Sequence, residues 1–186
     1  VDYTIRKARL HDREAIEKLI AVSARGLSRA HYSELQIEAA IASVFGVDTT
    51  LIEDGTYFVA ERDGELIGCG GWSKRKTLFG GDQYESRDSG TLDPKTEPAK
   101  VRAFFIHPRW SRKGIAKAIL LRCESEARAG GFRALELMST LPGVALYESW
   151  GYQAFGKVGL KLKDNVTLSL VPMRKEFEGF AERSLK

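Results

Sequence analysis

The sequence predicts a mixed α/β domain: a central mixed sheet flanked by helices. Three observations lead there. Apolar residues recur at helical spacing around 12–23, 33–45 and 114–129. Asp63-Gly64 separates two strand-like runs, TYFVAER and ELIGCGGWS, and a second alternating pair, KVGLKLK and VTLSLVP, lies late in the chain. Between these hairpins a strand, KVRAFFIH, a helix and another strand, ALELMST, form a βαβ unit, which calls for a parallel pair in an otherwise antiparallel sheet.

Taken in order, residues 3–8 (YTIRKA) read as a first strand. Asp12 stands where a helix N-cap belongs, ahead of Ile16, Leu19, Ile20 and Ser23 on one face. Ser33 and Gln36 have capping-box spacing, and the helix they open carries Ile37, Ala40, Ile41, Val44 and Phe45 before stopping near Gly46. Asp63-Gly64 suits a type I′ turn, which needs positive φ. A polar stretch, 74–99, follows with mixed charges and Gly80-Gly81, Pro94 and Pro98. Connections of that length are functional or disordered, and the sequence leaves both open. After the βαβ unit, with its Gly130-Gly131 stop, GVALYESW forms a short helix ending at Gly151, and Asp164-Asn165 turns the last hairpin. The expected order is β α α β β, loop, β α β α β β.

At 186 residues and 43% hydrophobic content, the chain reads as one domain over 1–186 with 74–99 as a long loop or insert, a domain taking roughly 100–200 residues. No apolar run approaches the about 18 residues of a membrane span, and the opening VDYTIRKARL alternates and carries charge, unlike a signal peptide. Two cysteines, Cys69 and Cys123, and three histidines provide neither a disulfide framework nor zinc-ligand spacing, so free buried thiols, a reducing cytoplasm and no metal are expected. The net charge of +4 comes from interspersed charges, 29 basic against 25 acidic. It suits an anionic ligand without demanding one, and it shows no basic stripe of the kind that binds nucleic acid.

The run HPRWSRKGIAKAILL, 107–121, leaves a strand and enters a helix through Arg112, Lys113, Gly114, Ile115 and Ala116. A helix's first turn has unpaired N–H groups and partial positive charge, so phosphate can sit there, and Gly114 and Ala116 leave room for it. By spacing alone, an anion site and a solvated basic loop stay equally open. Other phosphate motifs are excluded. There is no G-x-x-x-x-G-K-[ST], and Gly68-Cys69-Gly70-Gly71 precedes no helix, so its glycines read as points of close approach.

Ser111-Arg112-Lys113-Gly114-Ile115-Ala116 resembles motif A of the GNAT acetyltransferases, R/Q-x-x-G-x-G/A. ALYESWGY is similar to motif B of that family, with Tyr147 four residues before Gly151 and an aromatic, Tyr152, after it. The order of elements over nearly the whole chain is also the family's. The resemblance implies the acyl-CoA N-acyltransferase fold, a twisted mixed sheet with splayed fourth and fifth strands, and acetyl-CoA (CoA) as co-substrate. It implies a pantetheine arm against Phe104, Phe105 and Ile106, and a pyrophosphate on the amides of Arg112, Lys113, Gly114, Ile115, Ala116 and Lys117. Two departures stand out. Ser111 replaces the usual Arg or Gln, and Thr140 occupies a place where the family often has a cofactor-contacting Asn.

The implied reaction is attack of an amine on the thioester, with Tyr147 as proton donor to the leaving thiolate and a fourth-strand amide holding the oxyanion. A free alkylamine has a pKa near 10.4 and must lose a proton to react. Glu136, Asp82, Glu85 and Glu97 are the candidate bases, and none stands out. His107 reads as a turn residue. Trp72, Phe79 and Tyr84 are candidates for an acceptor pocket or, equally, for packing. The acceptor is a small-molecule or protein amine, and a homodimer through the last strands is the family's habit. The alternative is a non-catalytic CoA-binding sensor or interaction module on the same fold.

Overall fold

The computed structural model describes residues 2–179. Val1 and residues 180–186, the two ends of the expected domain, lie outside the described residues. The elements are β1 (Thr4–Lys7), α1 (Arg13–Leu27), α2 (Glu34–Ser43), α3 (Thr49–Glu53), β2 (Tyr57–Arg62), β3 (Glu65–Ser73), β4 (Ala99–Ile106), α4 (Ile115–Ala129), β5 (Ala134–Thr140), α5 (Val144–Glu148), β6 (Gln153–Ala154), β7 (Val158–Lys161) and β8 (Thr167–Glu176). One sheet runs β1-β2-β3-β4-β5-β8-β6, with β7 also on β8. Every pairing is antiparallel except β4 with β5.

The predicted signals act where expected. Asp63 and Gly64 take φ of 50° and 80° between β2 and β3. The Ser33 hydroxyl accepts the Gln36 N–H, and the Gln36 side-chain Oε1 accepts the Ser33 N–H, closing the capping box of α2. Asp12 precedes α1 but does not cap it through its side chain. Its carboxylate instead takes a two-pronged bond from Arg6 (2.7 and 2.9 Å) and the Arg9 N–H (2.8 Å).

Helices cover both faces of the sheet, so β2 and β3 read as continuous apolar runs. Alternate residues divide between two clusters. Tyr57, Val59 and Cys69 pack with Ile16 and Ile20 of α1, while Phe58, Ala60 and Ile67 pack with Ile115, Ile119 and Leu120 of α4. Trp72 belongs to the α4 side, ring to ring with Phe132 (6.0 Å), its indole N–H donating to Glu126 (3.0 Å). Both cysteines are free and buried.

Two elements were not foreseen, α3 and the two-residue β6. The 74–98 connection has a fixed path. Arg75 makes a bidentate pair with Asp54 (2.7 Å each) and bridges Thr91, and Leu92 is buried. At its centre Asp48, the N-cap of α3, accepts Arg102 (2.7 Å), Arg87 (2.6 Å) and the Thr50 N–H (3.1 Å). Arg102 also donates to the carbonyls of Thr77 (2.9 Å) and Gly80 (2.7 Å). Asp48 and Arg102 are 0% and 3% exposed, so this pair pins the loop to β4.

Candidate active site

The site begins where β4 and β5 part. They pair only at Ala99–Leu135 and Lys100–Glu136, and beyond that β4 keeps β3 as its partner while β5 follows β8. The divergence opens a cleft of about 760 Å³. Two parallel strands that stop pairing leave backbone donors and acceptors facing each other across a gap, where a ligand can bond them.

A bulge in β4 shapes the gap. The β3–β4 register shifts between Cys69 and Gly71, and opposite it Ala103 takes φ of 53°. A left-handed residue with a Cβ costs about 1–2 kcal/mol, so something must hold it. The Tyr57 hydroxyl donates to the Ala103 carbonyl (3.0 Å), and the Cys69 thiol lies 3.8 Å from the same oxygen. Phe104 then turns toward α4 and packs edge-on against Tyr147 (6.4 Å), while Phe105 turns the other way against Phe45 (5.6 Å). Gly70 is required for this seat, because a Cβ there would lie 2.6 Å from the Phe104 ring. The Ile106 N–H is already committed to the Ser23 hydroxyl (3.1 Å), and the Phe105 N–H faces the Cys69 sulfur, which leaves Phe104 as the nearer backbone for a ligand.

At one end of the cleft stands the N-terminus of α4. Arg112 (φ 59°) and Gly114 (φ 81°) are both left-handed, and such turns aim successive N–H groups into one concavity. The Ala118 N–H is the first to bond back, to the Gly114 carbonyl (2.9 Å). The amides of Ile115, Ala116 and Lys117 precede it, as the free first turn of a helix. Arg112, Gly114, Ile115, Ala116 and Lys117 line the cleft. Lys113 does not: it is exposed with its ammonium over the Trp110 ring (4.8 Å). Ser111 lines the cleft, but its hydroxyl donates to the Pro108 carbonyl (2.9 Å). His107 is the expected turn residue, accepting the Arg109 N–H (3.2 Å).

The opposite wall is β5 and α5. Thr140 ends β5 and lines the cleft. Tyr32, not foreseen as a site residue, secures the turn after it: its hydroxyl accepts the Leu141 N–H (2.9 Å) and donates to the Ser169 carbonyl (2.6 Å). Tyr147 is 7% exposed, between the rings of Phe104 and Tyr152 (5.7 Å), and its hydroxyl has no partner among the described residues. Burial pushes its pKa well above the usual phenol value, with nearby Cys123 adding to the shift. The phenol therefore keeps its proton at neutral pH.

None of the four candidate bases lines the cleft. Glu136 is taken by Lys100 (2.8 Å) and Arg174 (3.3 Å), and Asp82 by Thr49 and Arg87. Glu97 accepts the Asp93 N–H (2.8 Å). Of the three candidate aromatics only Phe79 reaches the cleft. Tyr84 stacks behind it (5.1 Å), and Trp72 lies in the core under α4. Among the described residues no group of three or more His, Cys, Asp or Glu is placed to hold a metal ion, and no helix is long and apolar enough to cross a membrane.

The model of the acetyltransferase (GNAT) family matches residues 17–152. Among solved structures, a GCN5-related N-acetyltransferase from Rhodopseudomonas palustris superposes with a TM-score of 0.71 at 15% identity, over 95% of this chain and 97% of that one. The paiA N-acetyltransferase of Thermoplasma acidophilum, solved with coenzyme A, gives 0.60 at 16% identity over 95% and 100%. A GNAT family acetyltransferase from Brucella melitensis, solved with acetyl-CoA, gives 0.57 at 17% over 95% and 88%. At these identities the likeness is one of fold. No curated protein matches the sequence.

Proposed function

The chain belongs to the acetyltransferase (GNAT) family, and from that premise we propose that it transfers the acetyl group of acetyl-CoA to a primary amine of a small molecule or protein. The observation that carries this reading is the continuity of one cleft, from the free first turn of α4, through the β4–β5 gap, to the unpartnered Tyr147 hydroxyl.

Each part has a role the chemistry needs. The amides of Ile115, Ala116 and Lys117, with the Arg112 and Lys117 cations, suit a pyrophosphate at a helix N-terminus. Phe104 offers backbone to the amide-bearing pantetheine arm, beside Phe105 and Ile106, and Thr140 offers a hydroxyl across the gap. The amine nitrogen attacks the thioester carbonyl, an N–C bond forms, and the oxyanion is held by the β4 amide of Phe104. The C–S bond then breaks, sulfur leaves with the electron pair, and the Tyr147 O–H supplies its proton. The nitrogen's surplus proton returns to the tyrosinate, directly or through water, so the products are an N-acetyl amine and CoA thiol. Two free thiols agree with a reducing compartment, the cytoplasm. The protein acts alone or as a homodimer.

A second reading, binding of acetyl-CoA without turnover, draws on a cleft lining that offers no carboxylate or imidazole among the described residues. Thiol release from acetyl-CoA over an amine panel separates the two. Turnover is expected, and Tyr147→Phe lowers it toward the smaller end of roughly 10²–10⁴-fold, since a thiolate is already a fair leaving group, with little change in acetyl-CoA affinity. A folded Phe variant with wild-type turnover removes Tyr147 from the chemistry.

A further inference from the structure

We propose that the acceptor is a weakly basic primary amine on an apolar body, an arylamine in the simplest case, rather than a polycation or an amino acid. This rests on the acetyltransferase reading and concerns the end of the cleft away from α4. With the phosphates at α4 and the thioester near Tyr147, the acceptor enters between α1, α2 and the loop after β3. The walls there are Leu27, Val44, Phe45, Phe79, Met138 and Leu170.

Among the described residues the one charged side chain at this end of the lining is Arg102, and its terminal nitrogens are already bonded, while its buried Nε is without a partner. The guanidinium is bonded to Asp48 (2.7 Å) and to the Thr77 and Gly80 carbonyls. At 3% exposed it offers little to an acidic acceptor. A cationic acceptor fares no better, because an ammonium loses its hydration against these walls and gains no counter-ion. The carboxylates that would serve are paired elsewhere: Asp48 with Arg102 and Arg87, Asp82 with Arg87, and Glu136 with Lys100. Lining and charge both favour an uncharged apolar ligand.

The chemistry selects in the same direction. An alkylamine with a pKa near 10.4 is neutral in roughly one molecule in 2,500 at pH 7, and nothing charged on this wall deprotonates the rest. An amine with a pKa below 7 arrives already neutral. Its nitrogen becomes acidic only after the N–C bond forms, and then it gives up its proton to water without help. The weaker nucleophilicity of such amines is offset by the larger reactive fraction and by burial of the apolar body.

The test uses the full chain with acetyl-CoA and three acceptors, 4-methylaniline, putrescine and glutamate, followed by thiol release from pH 5 to 9. Acetyl-CoA binding is measured in parallel by titration calorimetry. The expected result is a kcat/KM for 4-methylaniline at least tenfold above the other two at pH 7. The inflection in kcat/KM should fall at the acceptor's own pKa, moving when a second arylamine of different pKa is used. Leu27→Glu, at the half-buried end of α1, should shift the preference toward putrescine. A preference for putrescine or glutamate in the wild type overturns the proposal, as does an inflection common to all acceptors, which marks a base on the protein. Acetyl-CoA binding with no turnover of any amine overturns the acceptor class and leaves the cofactor site standing. Failure to bind acetyl-CoA overturns the acetyltransferase reading itself, and the acceptor class with it.

Discussion

Removing Asp48 should unfold the protein far more readily than removing Arg102, although the two form one pair. Asp48 is 0% exposed and answers two guanidinium groups, Arg102 at 2.7 Å and Arg87 at 2.6 Å, while also capping α3 through the Thr50 N–H. With Asp48→Ala, Arg102 keeps its bonds to two carbonyls but stands as a buried charge without its counter-ion. Breaking a buried pair in this way costs about 3–5 kcal/mol, and loss of a cap about 1 kcal/mol more. At about 2–4 °C per kcal/mol for a chain of this size, Tm should fall by roughly 8–24 °C. With Arg102→Met, Asp48 still has Arg87 and the cap, so the loss is that of one of its bonds and of those to the Thr77 and Gly80 carbonyls, about 1–3 kcal/mol. Asp48→Ala and Arg102→Met combined should cost less than the sum of the two single changes, since Arg102 is no longer stranded. Urea unfolding of the four proteins at pH 7 measures this. Because Arg102 also holds Gly80 beside Phe79 in the cleft wall, folded Arg102→Met should raise the acceptor KM while leaving acetyl-CoA affinity unchanged. An Asp48→Ala cost below 1 kcal/mol, or a larger cost for Arg102→Met, would refute the account of how the loop is held.

Three further expectations concern the rest of the chain. Gly114→Pro should sharply weaken CoA binding in calorimetry while the protein stays folded, because proline is fixed near φ −65° where Gly114 sits at 81° and an N–H is lost from the loop; unchanged affinity would remove the phosphate site from α4. Burial pushes the Cys69 thiol up to about 12 and raises Cys123 well above its ordinary value, so native protein should not react with DTNB at pH 8, and two thiols should appear in denaturant; rapid native labelling would contradict the packing beneath β4 and α4. Asp12 is held below the usual carboxylate range, chiefly by the Arg6 hydrogen bond; a depressed folded pKa gives stability that is present above the unfolded value near 3.9 and lost as pH falls through the folded one, so Asp12→Asn should be less stable at pH 7 and show a flatter loss below about pH 4 in thermal melts.

Much of the fold was legible because its signals are local. The Asp63-Gly64 turn, the Ser33–Gln36 box and the Asp164-Asn165 turn each act within four residues, and all three formed. What escaped was short or long-range. TTLIE of α3 is one turn and a half, too brief for a period, and Gln153–Ala154 is two residues. Arg102 sits in a run that reads as a buried strand, and its partner lies 54 positions away, a distance at which spacing carries no information. The same holds for the candidate bases. Asp82 and Glu136 are carboxylates in the sequence but paired groups in the fold, and only the pairing decides whether they can take a proton. Lys113 lay within the basic loop by sequence, yet its ammonium sits over the Trp110 ring instead of lining the cleft.

The β4 bulge shows why the two kinds of information meet at the site. Ala103 has no glycine's freedom, and nothing in VRAFFI announces a left-handed residue. The sequence nonetheless contains every part that permits one: Tyr57, with a hydroxyl for the Ala103 carbonyl, Cys69 beside it, and Gly70, which clears the Phe104 ring. Each reads separately as core or as turn chemistry. Together they hold about 1–2 kcal/mol of backbone strain at the point where β4 leaves β5, and so set Phe104 against Tyr147. The strain is useful because a regular strand would keep alternating its side chains in register with β3. The extra residue shifts that alternation by one, so that Phe104 rather than Phe105 joins the core under α4 and meets Tyr147.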